Sequence, residues 1–222
     1  MVKAAFDTDI NTDKATYDIQ FGNIERPTHR NTSWDKAKFE VCAHKFMDMS
    51  EYGYGVSLLN DCKYGHNVKD GTMKLSLFKC ATWPDPDADK ILHSFTYSLY
   101  PHAGNFREAG TIKQAYRLNN PMRTFEIGKQ NGLLPEEFSL VKCSADNFII
   151  ETIKKAEDSD SLILRGYESF NKRTNVRLDF GFDVSSACIC GLLEDEIEPL
   201  TVNGRSVSFK AKPFEIITVK IN

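Results

Sequence analysis

A short polar run after a strand-like apolar segment carries the residue types best suited to chemistry in this sequence. The apolar residues Val56, Leu58 and Leu59 lead directly into it. The candidate binding residues of the run are Asn60, Asp61, Lys63 and Tyr64. They combine hydrogen-bond donors, acceptors and an aromatic ring, which recognition of a polyhydroxylated ligand requires. A polar turn whose Asn and Asp bond their own backbone is the simpler interpretation, and both stay open.

The other motifs with chemical spacing are weaker. Asp85, Asp87 and Asp89 have the D-x-D-x-D spacing of a calcium loop, but Lys90 stands where the loop needs Gly and Thr96 where it needs Glu. A solvated acidic turn is the better interpretation. No H-E-x-x-H or G-x-S-x-G motif occurs, and the only close cysteine pair is Cys188-x-Cys190. These motifs support neither a metal site nor a hydrolytic triad, and the sequence alone cannot select a catalytic carboxylate pair among the 31 acidic residues.

The elements that must position the polar run are strands. Apolar and polar residues alternate in NVRLDFGF, SVSFKA, FEIITVKI and HSFTYSLY, and this period of two is typical of strands with one face on a core. In HSFTYSLY the alternation places Phe95, Tyr97 and Leu99 on the core side. One segment differs: Asn105 and Glu108 have the spacing of a capping box and helical periodicity follows, so we predict a helix over 106–118.

The order of these elements predicts an all-β chain of two antiparallel β-sandwiches. Residues 138–222 hold six strand-like runs separated by turn residues, which suits a small terminal sandwich. Residues 1–130 hold only four or five, which is few for an independent sandwich. We expect them to be the C-terminal part of a larger β-sandwich whose partner strands lie outside this chain, with a linker rich in Gly, Asn and Pro between the two domains.

Composition excludes several classes of protein. The chain has 28 basic and 31 acidic side chains and a net charge of −3, so it has no general attraction to nucleic acid or to an anionic membrane. No apolar run is long enough to span a membrane, and residues 1–10 lack the apolar core of a signal peptide. Six scattered cysteines without a leader peptide predict a cytoplasmic location.

Residues 19–65 resemble the C-terminal region of glycoside hydrolase family 38 α-mannosidases, in particular their bacterial and cytosolic branch. The matching pieces in and beyond this run are Glu25-Arg-Pro-Thr-His29, Asn31-Thr-Ser-Trp34, Phe39-Glu-Val41, Leu58-Leu-Asn-Asp-Cys-Lys-Tyr-Gly65, Tyr100-Pro-His-Ala-Gly104, Glu151-Thr-Ile-Lys-Lys-Ala-Glu157 and Pro213-Phe-Glu-Ile216. The resemblance covers nearly the whole chain. It implies a large sandwich of the galactose-mutarotase type followed by a small terminal sandwich.

The resemblance also implies an activity that this chain does not hold by itself. Family members are retaining exo-α-mannosidases with a covalent intermediate on an Asp and a divalent metal, usually zinc. Both lie in an N-terminal catalytic domain whose motifs do not occur here. The chain is thus expected to be the end of a longer enzyme, to bind no cofactor itself and to be inactive alone. Its expected partners are the missing catalytic domain and mannosides or oligosaccharides, and a homo-oligomer is left open.

In some family members a loop of the large sandwich reaches the catalytic cleft and contacts the sugar. The resemblance aligns Asn60, Asp61, Lys63 and Tyr64 with that loop, as substrate-orienting residues and not as nucleophiles or metal ligands. Members that carry an Arg there differ from this chain, and a Lys keeps the donor charge without the two-pronged geometry of Arg. A free-standing carbohydrate-binding module and a pure scaffold are the alternatives.

Overall fold

The computed structural model describes residues 1–133 and 135–222, and the predicted linker residue Leu134 lies outside the described part. The chain is almost entirely β-structure, and neighbouring strands are antiparallel. This confirms the predicted all-β fold class. The chain forms two compact units, Met1–Thr124 and Phe125–Asn222. The domain limits predicted from sequence, 1–130 and 138–222, stay a prediction.

The first unit contains two sheets and two helices. One sheet has the strand order β1-β8-β7-β4 and the other β3-β2-β5-β6-β9. The elements are β1 (Val2–Asp7), β2 (Lys14–Ile19), β3 (Gly22–Pro27), α1 (Ser33–Ala37), β4 (Val41–Cys42), β5 (Phe46–Glu51), β6 (Tyr54–Asn60), β7 (Gly65–Lys69), β8 (Thr72–Phe78), β9 (Tyr97–Ala103) and α2 (Thr111–Asn119).

These two sheets form a sandwich around one apolar core. The five-stranded sheet contributes Met47, Met49 and Leu58, and the four-stranded sheet contributes Met73 and Leu75, all almost completely buried. Side chains alternate between the faces of a strand, so the intervening residues of the five-stranded sheet point to its outer face. That outer face is polar yet largely buried, which is uncommon because buried polar groups need hydrogen-bond partners.

Two predictions for the first unit were wrong. It has nine strands within its fully described residues and not four or five. Some were missed because β4 has only two residues, while the first four residues of β5 are all buried and show no alternation. In β9, Leu99 is 43 % exposed although its partner Leu58 in β6 is fully buried. Strand β9 is an edge strand, and the opposite sheet leaves its Leu99 face uncovered.

The predicted helix begins five residues later than expected. The reciprocal bonds form, from Asn105 N to Glu108 Oε2 at 3.0 Å and from Glu108 N to Asn105 Oδ1 at 3.3 Å, but they close a turn. Gly110 then adopts a left-handed conformation with φ of 67°, and α2 starts at Thr111. Helix α1 was not predicted, although Thr32 and Asp35 form a complete capping box around it.

The second unit is also a sandwich of two antiparallel sheets, ordered β10-β13-β17-β16 and β11-β12-β18-β14-β15. Its strands are β10 (Val141–Cys143), β11 (Phe148–Lys155), β12 (Leu162–Glu168), β13 (Thr174–Phe180), β14 (Ala187–Cys190), β15 (Glu196–Leu200), β16 (Val202–Asn203), β17 (Ser206–Ala211) and β18 (Ile216–Ile221). The described residues of this unit form nine strands and not six: alternation predicted β11, β12, β13, β14, β17 and β18 and missed β10, β15 and β16. The core holds residues of the predicted strands, among them Val176, Leu178 and Val207. Within the described residues, no helix has the length and apolar character that crossing a membrane requires.

Candidate functional site

The polar run forms a connection between the two sheets of the first unit. It leaves β6 at Asn60 and enters β7 at Gly65. We call residues 60–66 the sheet-crossing loop. Because its two ends belong to different sheets, the sandwich core fixes both ends of the loop and the residues between them project at the edge of the sandwich.

Asn60 anchors the loop from inside the protein. Its side chain is fully buried, its Nδ2 donates to His44 O at 2.7 Å, and its Oδ1 accepts from Lys63 N at 2.7 Å. Its backbone N–H donates to Lys45 O, and its carbonyl accepts from Asn119 Nδ2. Because these polar groups of Asn60 bond within the chain, Asn60 holds the shape of the loop. The residues that follow it are the ones left to make the predicted contact with a ligand.

Asp61 joins the loop to the segment before β9. Its N–H donates to Thr96 O at 3.1 Å, and its Oδ2 accepts from Thr96 N at 2.9 Å. Burial by itself would raise the pKa of this carboxyl, but the Cys62 thiol and the Thr96 amide stabilise the charged form, so the pKa lies below its usual range. The second oxygen, Oδ1, is buried and accepts no hydrogen bond of ordinary geometry from the described residues. Asp61 is thus a fixed, ionised group that joins the loop to the segment before β9.

Lys63 and Tyr64 supply a cation and an aromatic ring. The Lys63 ammonium lies 5.1 Å from the centre of the Phe95 ring, within the range of a cation–π contact. The Tyr64 ring is 52 % exposed and packs at 5.0 Å from the His44 imidazole. Cys62 beside them is exposed, but the Asp61 carboxylate raises the pKa of its thiol, so it is a poor nucleophile at neutral pH.

His66 completes the loop as a neutral imidazole. It is fully buried, with Nδ1 3.2 Å from Tyr64 O and Nε2 3.4 Å from Asn60 Nδ2. A proton on Nδ1 and a lone pair on Nε2 satisfy both contacts. Burial lowers the pKa of His66 to about 4, which keeps the ring neutral at physiological pH. His66 holds the Tyr64 carbonyl and the Asn60 amide in place.

The structure therefore gathers three of the four predicted residues, Asp61, Lys63 and Tyr64, on one loop and places Asn60 beneath them. Sequence reasoning missed His44, Phe95 and Thr96 as members of the site. Thr96 and Asp61 are 35 residues apart, and no spacing or motif connects them. The arrangement offers an anionic group and a cationic donor, which suit sugar hydroxyls, and an aromatic face, which suits the apolar face of a sugar ring.

The described residues offer no metal site. Across residues 1–133 and 135–222, no group of three or more His, Cys, Asp or Glu side chains is placed to hold a metal ion. The six cysteines are free, and Cys190 is buried while Cys188 next to it in β14 is only partly buried. Burial raises the pKa of both thiols, so they stay protonated at neutral pH.

Comparison with known families matches both units of the chain. "Glycosyl hydrolases family 38 C-terminal domain" matches residues 1–87. "Glycosyl hydrolases family 38 C-terminal beta sandwich domain" matches residues 147–219. Residues in both units thus match different parts of the C-terminal region of one glycosidase family.

Curated relatives and solved structures agree with this. Human alpha-mannosidase 2C1 is 40 % identical over 98 % of this chain, and alpha-mannosidase from Saccharomyces cerevisiae is 43 % identical over 78 %. The chain spans only 21 % of the human protein and 15 % of the yeast protein. An alpha-mannosidase from Enterococcus faecalis V583 has the same fold with a TM-score of 0.82 and 19 % identity, over 99 % of this chain and 25 % of that one. The chain therefore belongs to glycoside hydrolase family 38, the α-mannosidase family, and represents its C-terminal region.

Proposed function

We propose that this chain is the non-catalytic C-terminal β-portion of a retaining, metal-dependent α-mannosidase that hydrolyses terminal α-D-mannosyl residues. The observation that carries the proposal is the 40 % identity to human alpha-mannosidase 2C1 over 98 % of this chain, with only 21 % of that relative covered. Most of that relative therefore lies outside the region that this chain matches. The partner of this chain is accordingly the N-terminal catalytic domain of the same polypeptide.

In this proposal the sheet-crossing loop forms part of the wall of the substrate cleft. The Asp61 carboxylate would accept hydrogen bonds from sugar hydroxyls, and the Lys63 ammonium would donate them. The Tyr64 ring would cover an apolar face of the sugar. Asn60 and His66 support the loop from below, so its polar groups are held in place before a ligand binds, which reduces the entropy lost on binding.

Zinc, or another divalent metal, belongs to the catalytic domain in this proposal. The described residues do not fit a metal ion, because they contain no cluster of three suitable ligands. What this chain contributes is therefore support of the catalytic domain and orientation of mannosides or oligosaccharides. The six free cysteines support a cytoplasmic location, since structural disulfides are rare in that compartment.

Substitutions in the loop of the full-length enzyme test this role. We expect Asp61→Ala and Lys63→Ala each to lower kcat/KM for an α-mannoside by about tenfold, which corresponds to about 1.4 kcal/mol of lost transition-state contact. The matched control is the exposed ion pair of Lys155 and Asp160 in the second unit. Replacing either of these by Ala should leave kcat/KM unchanged. Equal kcat/KM in all four variants would show that the chain is a scaffold only.

Turnover by the chain itself tests the non-catalytic assignment. We expect no hydrolysis of p-nitrophenyl-α-mannoside by the 222-residue chain, with or without added zinc. Turnover at stoichiometric enzyme concentration would overturn this part of the proposal and leave the contribution of the loop to binding as a separate question.

A free-standing carbohydrate-binding module is the second candidate, and one observation favours it. Trp34 on α1 is 77 % exposed, and Trp83 is also exposed. Binding modules use such rings as flat platforms for sugars. Calorimetric titration of the chain with mannobiose separates the two functions: tight binding that Trp34→Ala abolishes would favour the module, and its absence would favour a cleft wall.

A further inference from the structure

A small basic cavity lies at the edge of the first sandwich, between strands β3 and β4. Strand β3 is an edge of the five-stranded sheet, β4 is an edge of the four-stranded sheet, and the segment with α1 connects them. The cavity has a volume of about 20 Å³. It is lined by residues of β2, β3, β4 and β7 and of the connecting segment: Tyr17, Arg26, Pro27, His29, Arg30, Asp35, Lys38, Val41, Asn67 and Val68.

The lining of this cavity concentrates positive charge. Arg26, Arg30 and Lys38 are basic and Asp35 is the one acidic side chain of the lining, which gives a formal charge of +2 with histidine neutral. The whole chain, in contrast, carries −3. Burial outweighs the effect of both arginines and raises the pKa of Tyr17 to about 12, so the phenol adds no negative charge at neutral pH. Composition alone does not predict such a basic cavity.

The nearby carboxylates do not neutralise these cations. Asp35 Oδ2 accepts from the Thr32 amide at 3.1 Å and from the Thr32 hydroxyl at 2.8 Å, as part of the cap of α1. Glu25 and Glu40, which flank the cavity in sequence, each pair with a lysine that is not part of the lining. Among the described residues, the three basic side chains of the lining form no ion pair.

Two half-buried guanidinium groups are held in place at the cavity. Arg26 Nη1 donates to Cys42 O at 3.1 Å, and the guanidinium lies 4.9 Å from the centre of the Tyr17 ring. Arg30 Nη2 donates to Phe39 O at 3.2 Å. A guanidinium has five N–H donors, so both groups keep donors beyond these contacts. A partly desolvated cation without a carboxylate costs free energy, and an anion in the cavity would offset that cost.

The size of the cavity limits the anion to one small group. Its volume exceeds the roughly 10–15 Å³ that one water molecule needs, but it is far below the roughly 300–1,000 Å³ of sites that enclose a whole small molecule. His29 and Lys38 at the rim are exposed, so the rest of a larger ligand can stay outside. Arginine matches the oxygens of a phosphate group in two-pronged contacts, and lysine binds phosphate as a point charge.

From this arrangement we infer that the cavity binds a tetrahedral oxyanion, either free phosphate or the phosphate group of a phosphorylated sugar. Arg26 and Arg30 are its main donors, and Lys38 is a further cation at the rim. The site goes beyond the proposed function, because unmodified mannosides are uncharged and the sheet-crossing loop takes no part in it. Failure of this inference would therefore leave the proposed role of the loop unaffected.

Titration of the 222-residue chain with inorganic phosphate at constant ionic strength, followed by amide NMR shifts, tests the inference. We expect saturable shifts concentrated at residues 26–30, 38–42 and 67–68, with a Kd on the order of 1 mM. Arg30→Gln removes the charge and should raise Kd about tenfold. Lys38→Gln, at an exposed position, should raise Kd several-fold and provides a second test if Arg30→Gln folds poorly. Arg205→Gln is the matched control, because Arg205 is an exposed arginine paired with Asp183 in the second unit, and it should leave Kd unchanged.

Mannose 6-phosphate and acetate, titrated in the same way, identify the anion. Tighter binding of mannose 6-phosphate than of phosphate would assign the cavity to a phosphorylated sugar, and equal or weaker binding would assign it to free phosphate. Both results support the inference. Acetate that binds as tightly as phosphate would overturn it in favour of a carboxylate site. Shifts without saturation, no shifts, or an unchanged Kd in both Arg30→Gln and Lys38→Gln would also overturn it.

Discussion

The imidazole of His102 and the carboxylate of Asp48 form a buried pair between two strands that are not neighbours. His102 Nε2 lies 2.8 Å from Asp48 Oδ2, and both side chains are almost inaccessible to water. Ser57 of the intervening strand β6 bonds Asp48 and lies 2.8 Å from Thr111 Oγ1 at the start of α2. The pair thus connects β5, β9 and α2 through one polar network on the outer face of the sheet.

Asp48→Asn should destabilise the first unit strongly. The substitution removes the negative charge beside His102, and breaking a buried pair from one side typically costs about 3–5 kcal/mol. Urea unfolding at pH 6 would measure the loss. Asp70→Asn, at an exposed turn, is the control and should change the free energy of unfolding by less than about 0.5 kcal/mol. A small effect of Asp48→Asn would mean that His102 is neutral and held by packing.

The contribution of His102 to stability should fall as the pH rises. Burial acts to lower the pKa of His102, but its hydrogen bond with Asp48 and the charge of Asp48 outweigh burial, so the pKa is raised. A raised pKa in the folded state gives stabilisation that is complete below the ordinary value of about 6.5 and is lost as the pH rises through the folded value. The difference in unfolding free energy between the parent chain and His102→Gln should therefore shrink from pH 6 to pH 9. A constant difference would contradict the charged state of His102.

The contribution of His66 to stability should depend on pH in the opposite direction. Its pKa is lowered to about 4, so the unfolded chain binds the proton more readily than the folded chain. The stability that neutral His66 provides is complete above about pH 6.5 and is lost as the pH falls towards the folded value, by up to roughly 3 kcal/mol. His66→Gln should flatten this acid-side slope in unfolding measured between pH 4 and pH 7. An unchanged slope would assign it to other groups.

Asn60→Ala should loosen the sheet-crossing loop. The variant leaves the His44 carbonyl and the Lys63 amide without their partner, and each unsatisfied buried group costs about 1–3 kcal/mol. We expect a loss of stability of about 2–4 kcal/mol and faster hydrogen exchange at Lys63. Asn67→Ala, in the next strand, is a partial control because its side chain is less buried and bonds one carbonyl. Unaltered exchange at Lys63 would show that the loop holds its shape without Asn60.

Glu168 is expected to be the most sensitive acidic residue of the second unit. It is fully buried, and its carboxylate accepts from Asn147 Nδ2 at 2.7 Å and from the amides of Phe170, Lys172 and Phe214. Glu168→Gln replaces one acceptor oxygen by a donor that faces another donor, at a cost of about 1–3 kcal/mol. A lower melting temperature of Glu168→Gln in thermal unfolding would show this cost. Glu198→Gln, at an exposed position, is the control. Equal melting temperatures would contradict this role.

Local alternation of residue types predicted six of the nine strands that the described residues of the second unit form. Val176, Leu178 and Phe180 in β13 alternate and are buried, because side-chain direction in a strand has a period of two whatever the strand packs against. The same reasoning failed at β9, since alternation distinguishes two faces without showing which one is covered. It also placed the start of α2 too early, because the bonds between Asn105 and Glu108 fit a closed turn as well as a helix start.

The sequence by itself determined the all-β class, the resemblance to α-mannosidase C-terminal regions and the polar run that became the sheet-crossing loop. Only the tertiary structure decided which polar residues meet. Asp48 and His102 are 54 residues apart, and Asp61 and Thr96 are 35 apart. The reason is physical: strand identity depends on local side-chain period, whereas pairing and burial of polar groups depend on the register and order of strands that are distant in the chain.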